Sequence, residues 1–127
     1  MQTMLLLSLF FCHFLADFPL SNKWMLDAKQ KGTPFFPILV HAGVHAALMG
    51  LVLILFLHDE PNGWFYILKL IPFQWFTHFG IDVLKGKTMV WYPSTADPKN
   101  KNYWLLFGFD QFLHAAVILL MVTWEIW

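Results

Sequence analysis

Eight residues in the apolar parts of this sequence could donate a lone pair to a metal or exchange a proton: His13, Asp17, His41, His45, His78, Asp82, Asp110 and His114. They fall into four successive pairs, and each pair is spaced i, i+4. On an α-helix that spacing stacks two side chains one turn apart on one face. Five imidazoles and three carboxylates, with no thiolate among them, suit a divalent transition metal such as Zn, Fe or Mn. Eight donors exceed the four ligands of a closed structural zinc site. They fit two ions about 3.5–4 Å apart joined by a carboxylate, and Asp82 or Asp110 is the expected bridge. Some of the eight would instead steady a ligand, because a ligating His usually gives its other N–H to a carboxylate. A metal-bound water needs a base, and Asp17, Asp82 and Asp110 are the catalytic candidates.

The elements that carry these pairs are long and apolar. Of 127 residues, 58% are hydrophobic, 19% aromatic and 13% charged. A soluble domain carries roughly a quarter charged residues, so this chain points to a bilayer. Four stretches, about 4–20, 35–57, 64–84 and 103–127, are each long enough for a hydrocarbon core of roughly 30 Å. The connections between them are short, which makes sequential helices antiparallel neighbours. The expected fold is therefore all-α: one transmembrane domain over 1–127, a four-helix bundle running up-down-up-down. Pro19 is expected to end the first helix and Pro72 to kink the third. In such a bundle all four pairs lie at one depth, near one membrane face.

Charge sets the orientation. Lys23, Lys29, Lys31, Lys85, Lys87, Lys99 and Lys101 fall in the first and third connections, whereas Asp59, Glu60, Glu125 and both termini fall on the opposite side. The positive-inside rule places the lysines in the cytoplasm and both termini outside. Trp24, Trp64, Trp91, Tyr92, Trp124 and Trp127 sit near span ends, as interfacial aromatics do. No basic residue precedes the first apolar run, so that run is expected to stay in the mature protein. Net charge is zero and there is no Arg, which argues against nucleic acid as a partner. Cys12 is the single cysteine, which excludes a disulfide framework.

The halves echo each other. HFLAD at 13–17 matches HFGID at 78–82, and HAGVHAAL at 41–48 matches DQFLHAAV at 110–117. This suggests a duplicated helical hairpin with halves at about 1–58 and 64–127. Ala16, Gly43, Gly80 and Gly108 accompany the pairs and are expected to let helices approach closely. Gln74, Thr77 and Gln111 could orient ligands. Cys12 reads as a small buried hydrophobe and His58 as a solvated residue at a helix end.

Two blander readings compete with a metal. Interhelical hydrogen bonds in membranes contribute only about 0.6 kcal/mol each, whereas burying an ionisable group there costs roughly 2.5–3.5 kcal/mol. Eight aligned groups are thus an expensive glue. A proton relay needs ionisable groups reaching the other face, and the sequence offers none.

The ordered motifs HFLADFPL with Trp24 after it, His41 to His45, THFGID at 77–82 and DQFLH at 110–114 resemble the domain-of-unknown-function 3307 family, small multi-span proteins of bacteria and their phages. The resemblance covers nearly the whole chain and implies a shared fold and shared polar residues, without supplying an activity. A looser similarity is to inner-membrane metal-dependent hydrolases. The expectation is a metal-dependent hydrolase in the bacterial inner membrane, acting on a lipid or lipid phosphate at the cytoplasmic leaflet. Lys23, Trp24 and Lys85 would face the headgroup. The alternatives are a non-enzymatic metal-binding module or accessory subunit, and a di-iron oxidoreductase. Membrane lipid is the expected partner, with a second copy or another membrane protein as further options.

Overall fold

A computed structural model describes residues 1–124 and is helical throughout, with no strand among the described residues. The helices are α1 (Gln2–Asp17), α2 (Lys23–Lys31), α3 (Phe35–Leu57), α4 (Gly63–Trp91) and α5 (Lys101–Trp124), with a 3-10 turn at Pro93–Thr95. The expectations for Glu125 and Trp127, and for the side chain of Trp124, lie outside the described residues.

Four helices pack in a ring: α1 meets α3 and α5, and α4 meets the same two. Leu5 and Leu9 from the first half of α1 share one buried cluster with Met49, Leu53 and Leu57 from the end of α3. Ile67 and Leu70 from the start of α4 join it, as do Ile118, Met121 and Val122 from the end of α5. That mixture of starts and ends makes neighbours antiparallel. It also puts an apolar plug at one end of the ring, leaving the other end for the polar pairs.

Helix boundaries depart from the hydropathy pattern in three places. The first helix closes at Asp17 and does not reach residue 20. The third apolar stretch continues past Leu84 to Trp91, because Lys85 and Lys87 interrupt hydropathy without opposing a helix. It runs unbroken through Pro72. The first connection is not merely a loop: α2 starts at Asn22, whose side chain accepts the Met25 N–H, and stops at Gly32 in the left-handed conformation (φ +67°). By length and composition, Phe35–Leu57 and Lys101–Thr123 are long and apolar enough to cross a membrane, and Gln2–Asp17 is a shorter apolar helix.

α2 lies across α3 and α4 and is seated by glycine. A Cβ at Gly86 would overlap the Gly32 nitrogen and the Lys29 carbonyl oxygen, so α4 and the end of α2 touch backbone to backbone. Two of the glycines expected to do this work elsewhere do not. A Cβ on Gly80 or Gly108 would meet nothing within 4 Å. Each stands two residues from a polar pair, about 200° around the helix, and is exposed. Gly43 is also two residues from its pair and meets the Trp75 side chain. Ala16 is fully buried.

Candidate metal centre

All eight ionisable residues converge at the end of the ring opposite the apolar plug. Asp82 on α4 is completely buried and stands at the middle. Its Oδ2 lies 3.3 Å from His78 Nε2, 3.6 Å from His41 Nε2 and 3.5 Å from Lys29 Nζ, and its Oδ1 lies 3.4 Å from His114 Nε2. Asp17 is the second focus. Its Oδ1 lies 3.1 Å from His41 Nε2 and 3.2 Å from both His45 Nε2 and Lys29 Nζ. Its Oδ2 lies 3.2 Å from His13 Nε2. The rings crowd together, with centroids 3.7 Å apart for His45 and His78 and 4.2 Å apart for His78 and His114.

This crowding is poorly satisfied by hydrogen bonds. Both nitrogens of His13, Nδ1 of His45, Nε2 of His78, both oxygens of Asp82 and Oδ1 of Asp110 are buried without an aligned partner. A buried polar atom left so costs about 1–3 kcal/mol. His41 is better served: its Nε2 can donate to the Asp17 carboxylate at 3.1 Å, which also accepts from the Lys29 ammonium.

A cation that collects lone pairs would resolve this. Asp17, His41, His45 and His78 offer ligand atoms within 4.8 Å of one another, and so do His78, Asp82 and His114. A tetrahedral ion with bonds of about 2.1 Å needs ligand atoms about 3.4 Å apart. The donors would therefore close inward by roughly an ångström or less. The first group has the His-rich composition of a zinc or iron site, and the second could leave positions open.

Not every expected ligand joins these groups. His13 lies beside Asp17 but outside both. Asp110 also lies outside both. Its Oδ1 is 3.4 Å from His114, while its Oδ2 accepts hydrogen bonds from Lys85 at 3.1 Å and Gln111 at 3.0 Å. Of the two carboxylates expected as bridge, Asp82 touches members of both groups, whereas Asp110 does not. The residue common to both groups is His78.

Lys29 is the participant that the residue pattern missed. The sequence offers it only as one of the charges that set orientation, yet α2 brings its ammonium to Asp17, Asp82 and His41. Burial works against its charge, but Asp82 and then Asp17 outweigh that and hold its pKa above the ordinary value. The Asn22 cap and Gly32 stop could have revealed the helix, though not where it lands. Lys85 is at the layer's edge, paired with Asp110. Lys23 and Trp24 are away from it. Lys23 is 87% exposed and pairs with Asp27, and Trp24 packs on Phe36. Both occupy the outer side of α2, whereas Lys29 occupies the inner side.

The secondary candidates sort simply. Gln111 holds Asp110. Gln74 is buried one turn from His78 with its Oε1 unpartnered. Thr77 bonds its own helix, Cys12 is buried, and His58 is half exposed beside Asp59.

Fold and site together define the class: an all-helical protein whose ionisable residues, drawn from four helices, meet in one buried layer of metal-type donors. Residues 5–127 match the sequence model of the family described as "Protein of unknown function (DUF3307)", and the chain belongs to that family. No curated protein and no solved structure matches the chain.

Proposed function

We propose that this chain is an integral membrane, metal-dependent hydrolase whose His/Asp layer holds one or two divalent transition ions, with Zn, Fe and Mn the fitting choices. The observation that carries the reading is the pair of donor groups, Asp17 with His41, His45 and His78, and His78 with Asp82 and His114. In each group the ligand atoms lie within 4.8 Å of one another, while His78 Nε2 and both Asp82 oxygens are buried without a hydrogen-bond partner. Ligation by a cation would give those lone pairs a partner. A bound ion would lower the pKa of a water toward ~7 and polarise an ester or phosphoester oxygen. Asp82 and Asp17 are placed to bind the ion or to take the water's proton, and Asp110 acts on His114.

The membrane placement rests on the exterior. Leu7, Phe11, Leu51, Leu55, Leu68 and Phe76 are all exposed. An exterior with this many exposed large apolar side chains suits lipid and not water. Trp24, Trp64, Trp91 and Tyr92 are exposed near helix ends, where aromatic residues meet headgroups. With the lysine-bearing end in the cytoplasm, both termini lie outside, in the bacterial inner membrane. The antiparallel ring is then a four-span bundle, and the echoed motifs mark it as a duplicated hairpin.

Elemental analysis of detergent-purified protein tests the centre. The expected result is one to two equivalents of a single transition metal, lost in His78→Ala, which removes the residue common to both donor groups. A folded wild-type protein that stays metal-free after supplementation overturns the reading.

A further inference from the structure

Between α2, the last turns of α4 and the first turns of α5 lies a cavity of about 490 Å³. That volume falls in the range of small-molecule sites. Its wall has two characters. Asp17, Lys29, Lys85 and Gln111 line the part that borders the polar layer, and Lys31 adds a third ammonium. Leu26, Met89, Val90 and Phe107 give the remainder an apolar surface.

The cations are not ordinary surface lysines. The side chains of Lys29 and Lys85 are only 14% and 19% exposed. In such partly desolvated surroundings a charge acts more strongly than in water. Lys85 gives one hydrogen bond to Asp110 and lies 5.2 Å from the centre of the Phe107 ring. Its ammonium has three protons, so two remain for a ligand. Lys29 is already met by Asp17 and Asp82, and Lys85 by Asp110, so the ammonium donors left on this wall are two protons of Lys85 and those of Lys31. A phosphate group, with several acceptor oxygens, can take hydrogen bonds from both lysines at once. The apolar wall beside it gives the ligand a second requirement, a hydrocarbon part.

We propose that this cavity binds the phosphate head of a membrane amphiphile, with Lys85 and Lys31 donating to the phosphate oxygens. Met89, Val90 and Phe107 receive the adjoining chain. This names the substrate class of the hydrolase and rests on that reading for the reaction, though not for the binding. The arrangement sets a phosphoester beside the metal layer, with Asp17 and Lys29 belonging to both.

The test uses the full chain in detergent micelles, titrated with inorganic phosphate, a short-chain phosphatidic acid and a short-chain diacylglycerol, with metal content measured in parallel. Saturable binding of phosphatidic acid is expected, at least tenfold tighter than inorganic phosphate and with no binding of diacylglycerol. Met89→Trp, which fills the cavity, and Lys31→Gln, at an exposed position, should each weaken it and leave metal content unchanged. The expected loss is at least tenfold for Met89→Trp and severalfold for Lys31→Gln. Lys85→Gln should abolish binding, and because it strands Asp110, the other two variants guard against a folding artefact. No saturable binding, or binding indifferent to Met89→Trp, overturns the proposal. Equal affinity for the two phosphates overturns the amphiphile and identifies free phosphate as the source. Metal-loaded protein that ignores phosphate sinks the cavity alone, while metal-free protein that binds it sinks the metal centre alone.

Discussion

The two ends of the helical ring are built from the same four helices by opposite rules. At one end Leu5, Leu9, Met49, Leu53, Ile67 and Ile118 fill the space between helices and leave no polar group to satisfy. At the other end five imidazoles and three carboxylates fill it, and several of their buried atoms lack a hydrogen-bond partner. Packing alone would favour the first solution at both ends. The apolar end is packed without any polar side chain to satisfy, whereas the polar end gathers the groups that could do chemistry.

Substitutions that separate the ends should separate two measurements. The largest effect is expected from Asp82→Asn, which keeps the volume and removes the charge shared by His41, His78, His114 and Lys29. Metal affinity should fall more than about a hundredfold, while circular dichroism keeps its helical signature. Retained metal would mean that Asp82 serves only the lysine. Leu53→Ala, at the opposite end, should do the reverse. It removes a buried side chain at a cost of about 2–5 kcal/mol, read as a lower unfolding midpoint with metal stoichiometry unchanged. If metal falls in parallel, the ends are one cooperative unit and the comparison breaks.

The smallest effects come from a pair of glycines on α4. Gly86→Ala forces a Cβ into the backbone of α2. A loss of about 1–3 kcal/mol is expected, with faster amide exchange confined to residues 23–31. Gly80→Ala meets nothing and should be neutral or stabilising by up to about 1 kcal/mol, the helix propensity that glycine forgoes. Similar losses at both positions would remove the glycine seat from the account.

The polar layer was legible in the sequence for a geometric reason. The i, i+4 spacing fixes a helix face, and placement near alternating helix ends fixes depth, so neither depends on tertiary detail. Asp110's engagement by Lys85 was not legible, since it depends on α4 continuing past Leu84. Hydropathy ended that helix at the first lysine, whereas backbone hydrogen bonding carries it to Trp91. Lys29 was hidden for a similar reason. Local signals mark a helix at 23–31, but only the meeting of Gly32 with Gly86 determines which lysine turns inward. The misread glycines are instructive in the other direction. Gly80 and Gly108 stand two residues from their pairs and are exposed, whereas Gly43 has the same offset and meets Trp75, so the offset alone does not settle which face a helix neighbour covers.

The backbone contact between Gly32 and Gly86 also bears on how such a sequence can drift. Most packing contacts can be exchanged gradually, a larger side chain on one side for a smaller one opposite. Here neither side has a side chain to trade, and Gly32 also needs its left-handed backbone. Descent with modification can therefore rewrite the exposed Lys23 and Asp27 on the outer side of α2 with little restraint. The seat itself is harder to change: a side chain at either glycine meets backbone, and nothing opposite it can shrink to compensate.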